Sequence, residues 1–438
     1  MKIISSYGIQ VVGRVNFKDT TKIYRSALSF VVDVVNKEWG FIQQIKHPHA
    51  KQIAVEKLIH STKDRSAKYL FDFRFPKFPS YLRRAVCSEA IGIVSSYRSN
   101  LENWKANPVG KEPRLQLGHN AYPTFYDKNM FMETDDPTVI QLKLYQRNDW
   151  IWVSVKLRGT DVKYLRKYWT HVKPCAPVLE KRYGKYYLRF AFKETVELVD
   201  APVEERRICA VDLGLNSDAV CSIMKADGTV VARKFINFPT EKDHLSHVLN
   251  RIKRQQREQG PHSVRNFWHY VTHLNDELTK KIAATIIEFA VLYSVHTIVF
   301  EYLDFKGKKH GSKRQKLHLW KRNAIQDYVT HKAHRCGIHI SHICAWGTSK
   351  YAYDGSGTLK RDEKNHAKAT FQSGKQYNCD LSASYNIGAR YFIRELLKPL
   401  PERERSHLHA KVPGSERRTL CTWITLRHLA AATQLNVA

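Results

Sequence analysis

The stretch from residue 206 onward most constrains what this chain can fold into. Ile208-Cys-Ala-Val-Asp212 is a short apolar run ending on an acid, and residues 219–224 form a second apolar run. Ala226-Asp-Gly228 is a turn leading into a third strand at 229–234, since Asp-Gly between apolar runs is a hairpin signal. A charged helix carrying Arg251, Lys253, Arg254 and Arg257 follows. Asn275 reads as the cap of another helix, with Asp276 and Glu277 in its first turn and Leu278, Ile282 and Phe289 on its apolar side. That helix delivers Thr297-Ile-Val-Phe-Glu-Tyr-Leu303, an apolar run ending near Glu301. A helix at 319–335, a strand at 338–343 and a helix at 381–397 that begins beside Asp380 complete the series.

Three meandering strands followed by alternating helices and strands predict an α/β domain of the ribonuclease H-like kind over residues 206–398. Residues 1–205 read differently. A helix is expected at 21–39, with Leu28, Val31, Val32 and Val35 at helical spacing, and a second at 81–104. Strands at 139–145 and 150–157 flank the turn Gln146-Arg-Asn-Asp149, and strands at 178–181 and 185–192 flank Tyr183-Gly184. This half therefore reads as a β-barrel-like module with helices inserted in it. A tail at 399–438 is rich in Arg and His, with an apolar end at 420–435 that reads as a packing helix.

Charge narrows the partner. Lys and Arg number 72 against 41 Asp and Glu, a formal net charge of +31 spread along the chain, while 43% of residues are hydrophobic. A folding chain with so basic a surface points to nucleic acid. Anionic membrane is the weaker alternative, because no apolar run approaches the ~18 residues a spanning helix needs. No signal-peptide core follows Met-Lys-Ile-Ile at the start. The eight cysteines contain no Cys-x-x-Cys pair, which suits reduced thiols in a cytosolic protein.

Against this basic background, Asp212, Glu301 and Asp380 stand out. A single acid at a strand end is ordinarily a cap or a solvated loop residue. Three of them, far apart in the chain and each at the mouth of an element, suit phosphodiester hydrolysis. That chemistry uses divalent ions ~3.5–4 Å apart to activate water and steady the leaving oxygen. Magnesium prefers oxygen ligands and keeps several waters, so few carboxylates suffice.

The second half resembles the TnpB family of RNA-guided nucleases, relatives of compact type V CRISPR effectors. The resemblance rests on Ala210-Val-Asp-Leu-Gly-Leu-Asn216, Ile298-Val-Phe-Glu-Tyr-Leu303, Gly347-Thr-Ser-Lys350 and Asp380-Leu-Ser-Ala-Ser-Tyr-Asn-Ile387, in that order, and spans roughly residues 206–395. It implies a RuvC nuclease domain with Asp212, Glu301 and Asp380 as catalytic, metal-binding carboxylates and Mg²⁺ (Mn²⁺ as a substitute) as cofactor. It further implies a guide RNA and target DNA as partners, and cleavage next to a short flanking motif. The first 205 residues would be a wedge β-barrel carrying a helical recognition lobe. The resemblance names no protein partner and no oligomeric state. One departure is clear. The family usually carries a zinc ribbon after Thr-Ser-Lys, yet Ala352, Gly355, Thr370 and Ser373 fall where its cysteines would be. Cys344, Cys379, His342 and His366 lack zinc-site spacing. A zinc-less insert at 351–378 is expected, with no structural zinc. Asn378 also replaces a frequent aspartate.

Two basic runs are candidate nucleic-acid contacts: Lys306, Lys308, Lys309, Lys313 and Arg314 with neighbours to Arg322, and Arg251 with Arg254. Phe71, Phe73, Phe75, Phe78 and Tyr81 read first as core and second as a base-stacking surface. Two other functions compete with a guided endonuclease. One is a guide-dependent DNA-binding regulator with little cleavage, and the other is a guide-free RuvC-like nuclease or integrase.

Overall fold

The computed structural model describes residues 1–118, 121–214, 217–260, 264–302, 321–363 and 365–433. The chain divides into two compact units, Lys2–Glu194 and Thr195–Ala438, with Met1 joined to the latter.

The first unit is built on a six-stranded sheet. Its strands are β1 (Lys2–Val12), β2 (Phe131–Glu133), β3 (Val139–Gln146), β4 (Asp149–Leu157), β5 (Val178–Arg182) and β6 (Lys185–Thr195), in the order β2-β3-β4-β1-β6-β5. The β3–β4 turn places Arg147 and Asn148 at φ 51° and 61°, and the β5–β6 turn places Tyr183 and Gly184 at 48° and 81°. Both are the left-handed two-residue turns that match strand twist. The expected barrel does not close. Among the described residues β2 and β5 do not pair; the segment before β2 reaches β5 through a single bridge, Thr124 to Val178. Phe125 N–H donates to the Pro177 carbonyl at 2.8 Å and Leu179 N–H to that of Pro123 at 3.0 Å. Pro123 and Pro177 have no N–H to extend the ladder, so the seam stays a bridge. Helices Lys18–Lys37 and Ser80–Ala106 pack together, with Leu28, Val31, Val32 and Val35 all buried. Phe71, Phe75 and Phe78 join the same core, whereas Phe73 is exposed.

The second unit centres on a five-stranded sheet in the order β11-β10-β7-β8-β9. Its strands are β7 (Arg207–Asp212), β8 (Ala219–Lys225), β9 (Val230–Ile236), β10 (Thr297–Tyr302) and β11 (His339–Cys344). β7, β8 and β9 are antiparallel neighbours, while β10 runs parallel to β7 and β11 parallel to β10. The helix Arg322–Arg335 makes the crossover that a parallel β10–β11 pair requires. Cys209 and Val211 pack with the helix Arg265–Leu292 on one face, and Ile208 and Ala210 with the helix Cys379–Leu397 on the other. Asn275 does not cap a helix. It lies buried inside Arg265–Leu292, which begins ten residues earlier. The acids after it simply continue a helix already formed. A small sheet, β12 (Lys360–Arg361), β13 (Lys368–Thr370) and β14 (Gln376–Asn378), occupies the insert. The tail forms helices Glu402–Lys411 and Trp423–Ala432. Among the described residues no helix is long and apolar enough to cross a membrane.

Candidate active site

Asp212 is the last residue of β7, after four buried positions that anchor the strand on both faces. Phe300 of β10 is in register with Val211, so Glu301 and Asp212 follow one step later on adjacent parallel strands. Ile208 and Ala210 of β7 and Val299 of β10 all pack in the core formed with the helix Cys379–Leu397. Alternation along a strand puts Asp212 and Glu301 on that same face. Asp380 sits in the first turn of that helix, where the helix dipole favours an anion. The Asn378 side chain caps the turn by accepting from Leu381 N–H at 2.9 Å. Gly388 makes the close approach possible, because a Cβ there would lie 3.0 Å from Met224 Sδ and 3.3 Å from Ala210 Cβ.

Asp212 feels the charges of the other two carboxylates. Burial raises the Asp212 carboxyl well above the ordinary carboxylate range, and the charges of Glu301 and Asp380 raise it further. Burial also raises Glu301, opposed by the Thr348 hydroxyl and by the charge of Arg390. Arg361 opposes the rise at Asp212. The Cys379 thiol lies 3.3 Å from Asp380 Oδ1 and is itself pushed up to about 12 by burial and by Asp380. A cluster of buried carboxylates is an electrostatic deficit that a cation would fill. As the side chains stand, no three His, Cys, Asp or Glu among the described residues are gathered as metal ligands. The donor chemistry, all carboxylate oxygen, suits a hard divalent ion.

Sequence motifs did not single out the residues that hold this site together. Thr348, buried at the end of the loop after β11, donates from Oγ1 to Glu301 Oε1. Asn386 Nδ2 donates to the Thr348 and Tyr351 carbonyls at 3.0 and 2.9 Å, and its Oδ1 accepts from Trp423 N–H at 3.1 Å. One turn on, the buried Arg390 donates to the carbonyls of Cys344, Trp346, Thr419 and Cys421 at 2.7–3.1 Å. Asn386 and Arg390 share a helix face and together pin the loop that presents Thr348. Thr348 and Asn386 lie within motif blocks, whereas Arg361 and Arg390 carry no local signal.

Aromatic rings pack together in the insert. The Tyr353 ring lies 5.0–5.6 Å from those of Phe371, Tyr377, Tyr385 and Trp423. Arg251 and Arg254 are exposed on the helix Pro239–Gln259, with Arg251 over the Phe267 ring at 4.8 Å. Lys306, Lys308, Lys309, Lys313 and Arg314 lie outside the described residues. All eight cysteines are free.

Comparison with solved structures gives many matches over most of the chain, among them two with a TM-score above 0.5. One is the Cas12f1-sgRNA-target DNA complex, with a TM-score of 0.54 and 14% identity, covering 84% of this chain and 81% of that one. The other is the mini-RNA-guided endonuclease CRISPR-Cas_phi3, with a TM-score of 0.52 and 10% identity, covering 88% and 92%. The chain has the fold of the compact type V CRISPR effectors. Residues 5–146 also match the model of the Aq_aa04 family. No curated protein sequence matches the chain.

Proposed function

We propose that this protein is an RNA-guided DNA endonuclease that cuts target DNA beside a short flanking motif, using a RuvC-type site. The observation that carries the reading is the convergence of Asp212, Glu301 and Asp380 from β7, β10 and a helix N-terminus, on a sheet whose strand order suits a ribonuclease H-like domain. The likeness to the Cas12f1 complex with sgRNA and target DNA supports the same class. In this reading residues 1–205 are the wedge and recognition part, 206–398 the nuclease part and 399–438 an accessory tail, acting at the nucleoid.

Asp212, Glu301 and Asp380 would hold Mg²⁺, with Mn²⁺ as a substitute. The ion supplies Lewis acidity and a lowered water pKa when bound. Thr348 fixes the Glu301 carboxylate, and Asn386 and Arg390 fix Thr348. Arg361 places a positive charge beside the acids, where the scissile phosphate's oxygens would gather negative charge. One water is consumed: its oxygen bonds phosphorus as one phosphorus–oxygen ester bond breaks, leaving a phosphomonoester on one strand end and a hydroxyl on the other. The insert folds without zinc.

The test is purification after expression with the native flanking DNA, followed by sequencing of bound RNA. A discrete stoichiometric RNA, magnesium-dependent cutting directed by it and loss of cutting in Asp212→Ala support the reading. Heterogeneous, salt-removable RNA together with guide-independent cutting of duplex would overturn it.

A further inference from the structure

Outside the carboxylate site, the first unit holds a cradle lined by cations and by no acid. It is a cavity of about 390 Å³. Lys18, Lys22 and Arg25 face it from the helix Lys18–Lys37, and Lys181 reaches it from β5. Positions 18, 22 and 25 form one stripe over two helical turns. Tyr122 and Tyr186 complete the wall and orient two of the cations. Arg25 lies over the Tyr122 ring at 4.9 Å and Lys181 over the Tyr186 ring at 5.3 Å. Arg25 is also anchored by donating to the Ala121 carbonyl at 3.0 Å.

This arrangement contradicts local helix rules. Lys18 and Lys22 occupy the first turns, where the helix dipole disfavours positive charge, and they repel each other at i,i+4. The nearest acids along the chain are engaged elsewhere. Asp19 accepts from Asn16 at 3.1 Å, and Glu180 pairs with Arg182 and with Arg189. Among the described residues no ion pair neutralises Lys18, Lys22 or Lys181. Local choices that conflict with the fold mark functional positions. A helix N-terminus, four cations, a Ser26 hydroxyl at the wall and oriented guanidinium and ammonium groups together match a phosphate-bearing ligand.

We infer that this cradle binds the phosphodiester backbone of a single nucleic-acid strand, contacting phosphates without reading bases. RNA and DNA share that chemistry, and the choice of nucleic acid over other polyanions rests on the proposed function. The test uses the full chain in EDTA, so binding is measured apart from cleavage. Unstructured RNA and DNA strands of one sequence are titrated across salt concentrations. The protein forms are wild type, Lys22→Gln/Lys181→Gln and a charge-matched control, Lys57→Gln/Lys105→Gln, with both control lysines exposed on the same unit. Each lost phosphate contact lowers the slope of log affinity against log salt by about 0.7 for single strands. The cradle double variant should lose about 1.4 of slope and the control less than half of that, with unchanged thermal melts. The single variant Lys181→Gln, on a different element, should lose about half the effect of the double. A larger loss for RNA than for DNA assigns the cradle to guide RNA, and the reverse assigns it to target strand. Equal slopes in the two double variants overturn the cradle. Absence of any guide-directed cutting with the slope difference intact overturns the guided-nuclease reading and leaves the cradle standing.

Discussion

Replacing Arg390 with methionine tests how the candidate site is held. Arg390 is 5% exposed, and four of its five N–H donors go to backbone carbonyls of Cys344, Trp346, Thr419 and Cys421. Methionine keeps an unbranched apolar stem but is shorter and donates nothing, so four carbonyls lose their partner. Each such bond contributes about 1 kcal/mol net, more when the donor is charged. Burying the guanidinium carries a desolvation cost that its removal returns. These offsetting effects leave a loss of about 3–5 kcal/mol. At about 2–4 °C per kcal/mol for a unit of this size, the melting temperature should fall by roughly 6–20 °C. Arg390→Lys keeps the charge without the planar fork and should fall between the two. Thermal melting and urea titration of the full chain read the effect. Because Arg390 pins the loop carrying Thr348, cleavage by Arg390→Met at a temperature where it stays folded should drop more than nucleic-acid binding does. A stability loss below about 1 kcal/mol would refute the reasoning, since the carbonyls would then have found water or other donors at no cost.

Other predictions follow from the same geometry. The raised Asp212 and Glu301 carboxyls bind protons in the folded chain at pH values where the unfolded chain has released them. Without divalent ion, these groups therefore stabilise the protein most at acid pH, and that stability is lost as pH rises from about 4 through their folded pKa values. Asp212→Asn should flatten this slope in melts recorded from pH 4.5 to 8, and a slope of opposite sign that the variant leaves in place would refute it. Adding magnesium should raise the melting temperature of wild type far more than that of Asp212→Asn. Zinc chelators should leave the melt unchanged, whereas Tyr353→Ala should cost about 3–4 kcal/mol because its ring packs against four others; zinc found stoichiometrically by elemental analysis would contradict this. Arg147→Asn with Asn148→Gly should stabilise the β3–β4 turn by about 0.5–1 kcal/mol, since both residues hold positive φ.

The elements of the second unit were legible because their signals are local. The apolar runs of β7 and β10 are buried on both faces and leave no polar alternation to mislead; Ile325, Val329 and Ala333 give the Arg322–Arg335 helix one buried face, and the Cys379–Leu397 helix is buried nearly all round. Asn275 misled for a local reason as well: Asn-Asp-Glu is a cap signature wherever it occurs, and only packing against β7 and β10 reveals a helix already underway. The barrel failed to close for a reason that sequence does contain. Pro123 and Pro177 cannot donate to a ladder, but only pairing shows that they flank the Thr124–Val178 bridge, each one residue before its bridged neighbour.

Asp212, Glu301 and Asp380 could be named from sequence because each ends or begins an element, and element ends are where a fold presents side chains to a shared edge. Thr348, Arg361, Asn386 and Arg390 act through tertiary contacts, and no spacing rule ties a residue in an insert strand to an acid on another element. Buried carboxylates repel, so their cluster persists only if its frame is stiffer than the repulsion is strong. The Cys379–Leu397 helix supplies that stiffness: Gly388 seats it against Met224 and Ala210, its first turn carries Asp380, and Asn386 and Arg390 on one face grip the loop that holds Glu301 through Thr348. One helix thus positions one acid directly and a second through a clamp. The geometry of the site should therefore be more sensitive to changes in this helix than to changes in the insert that precedes it.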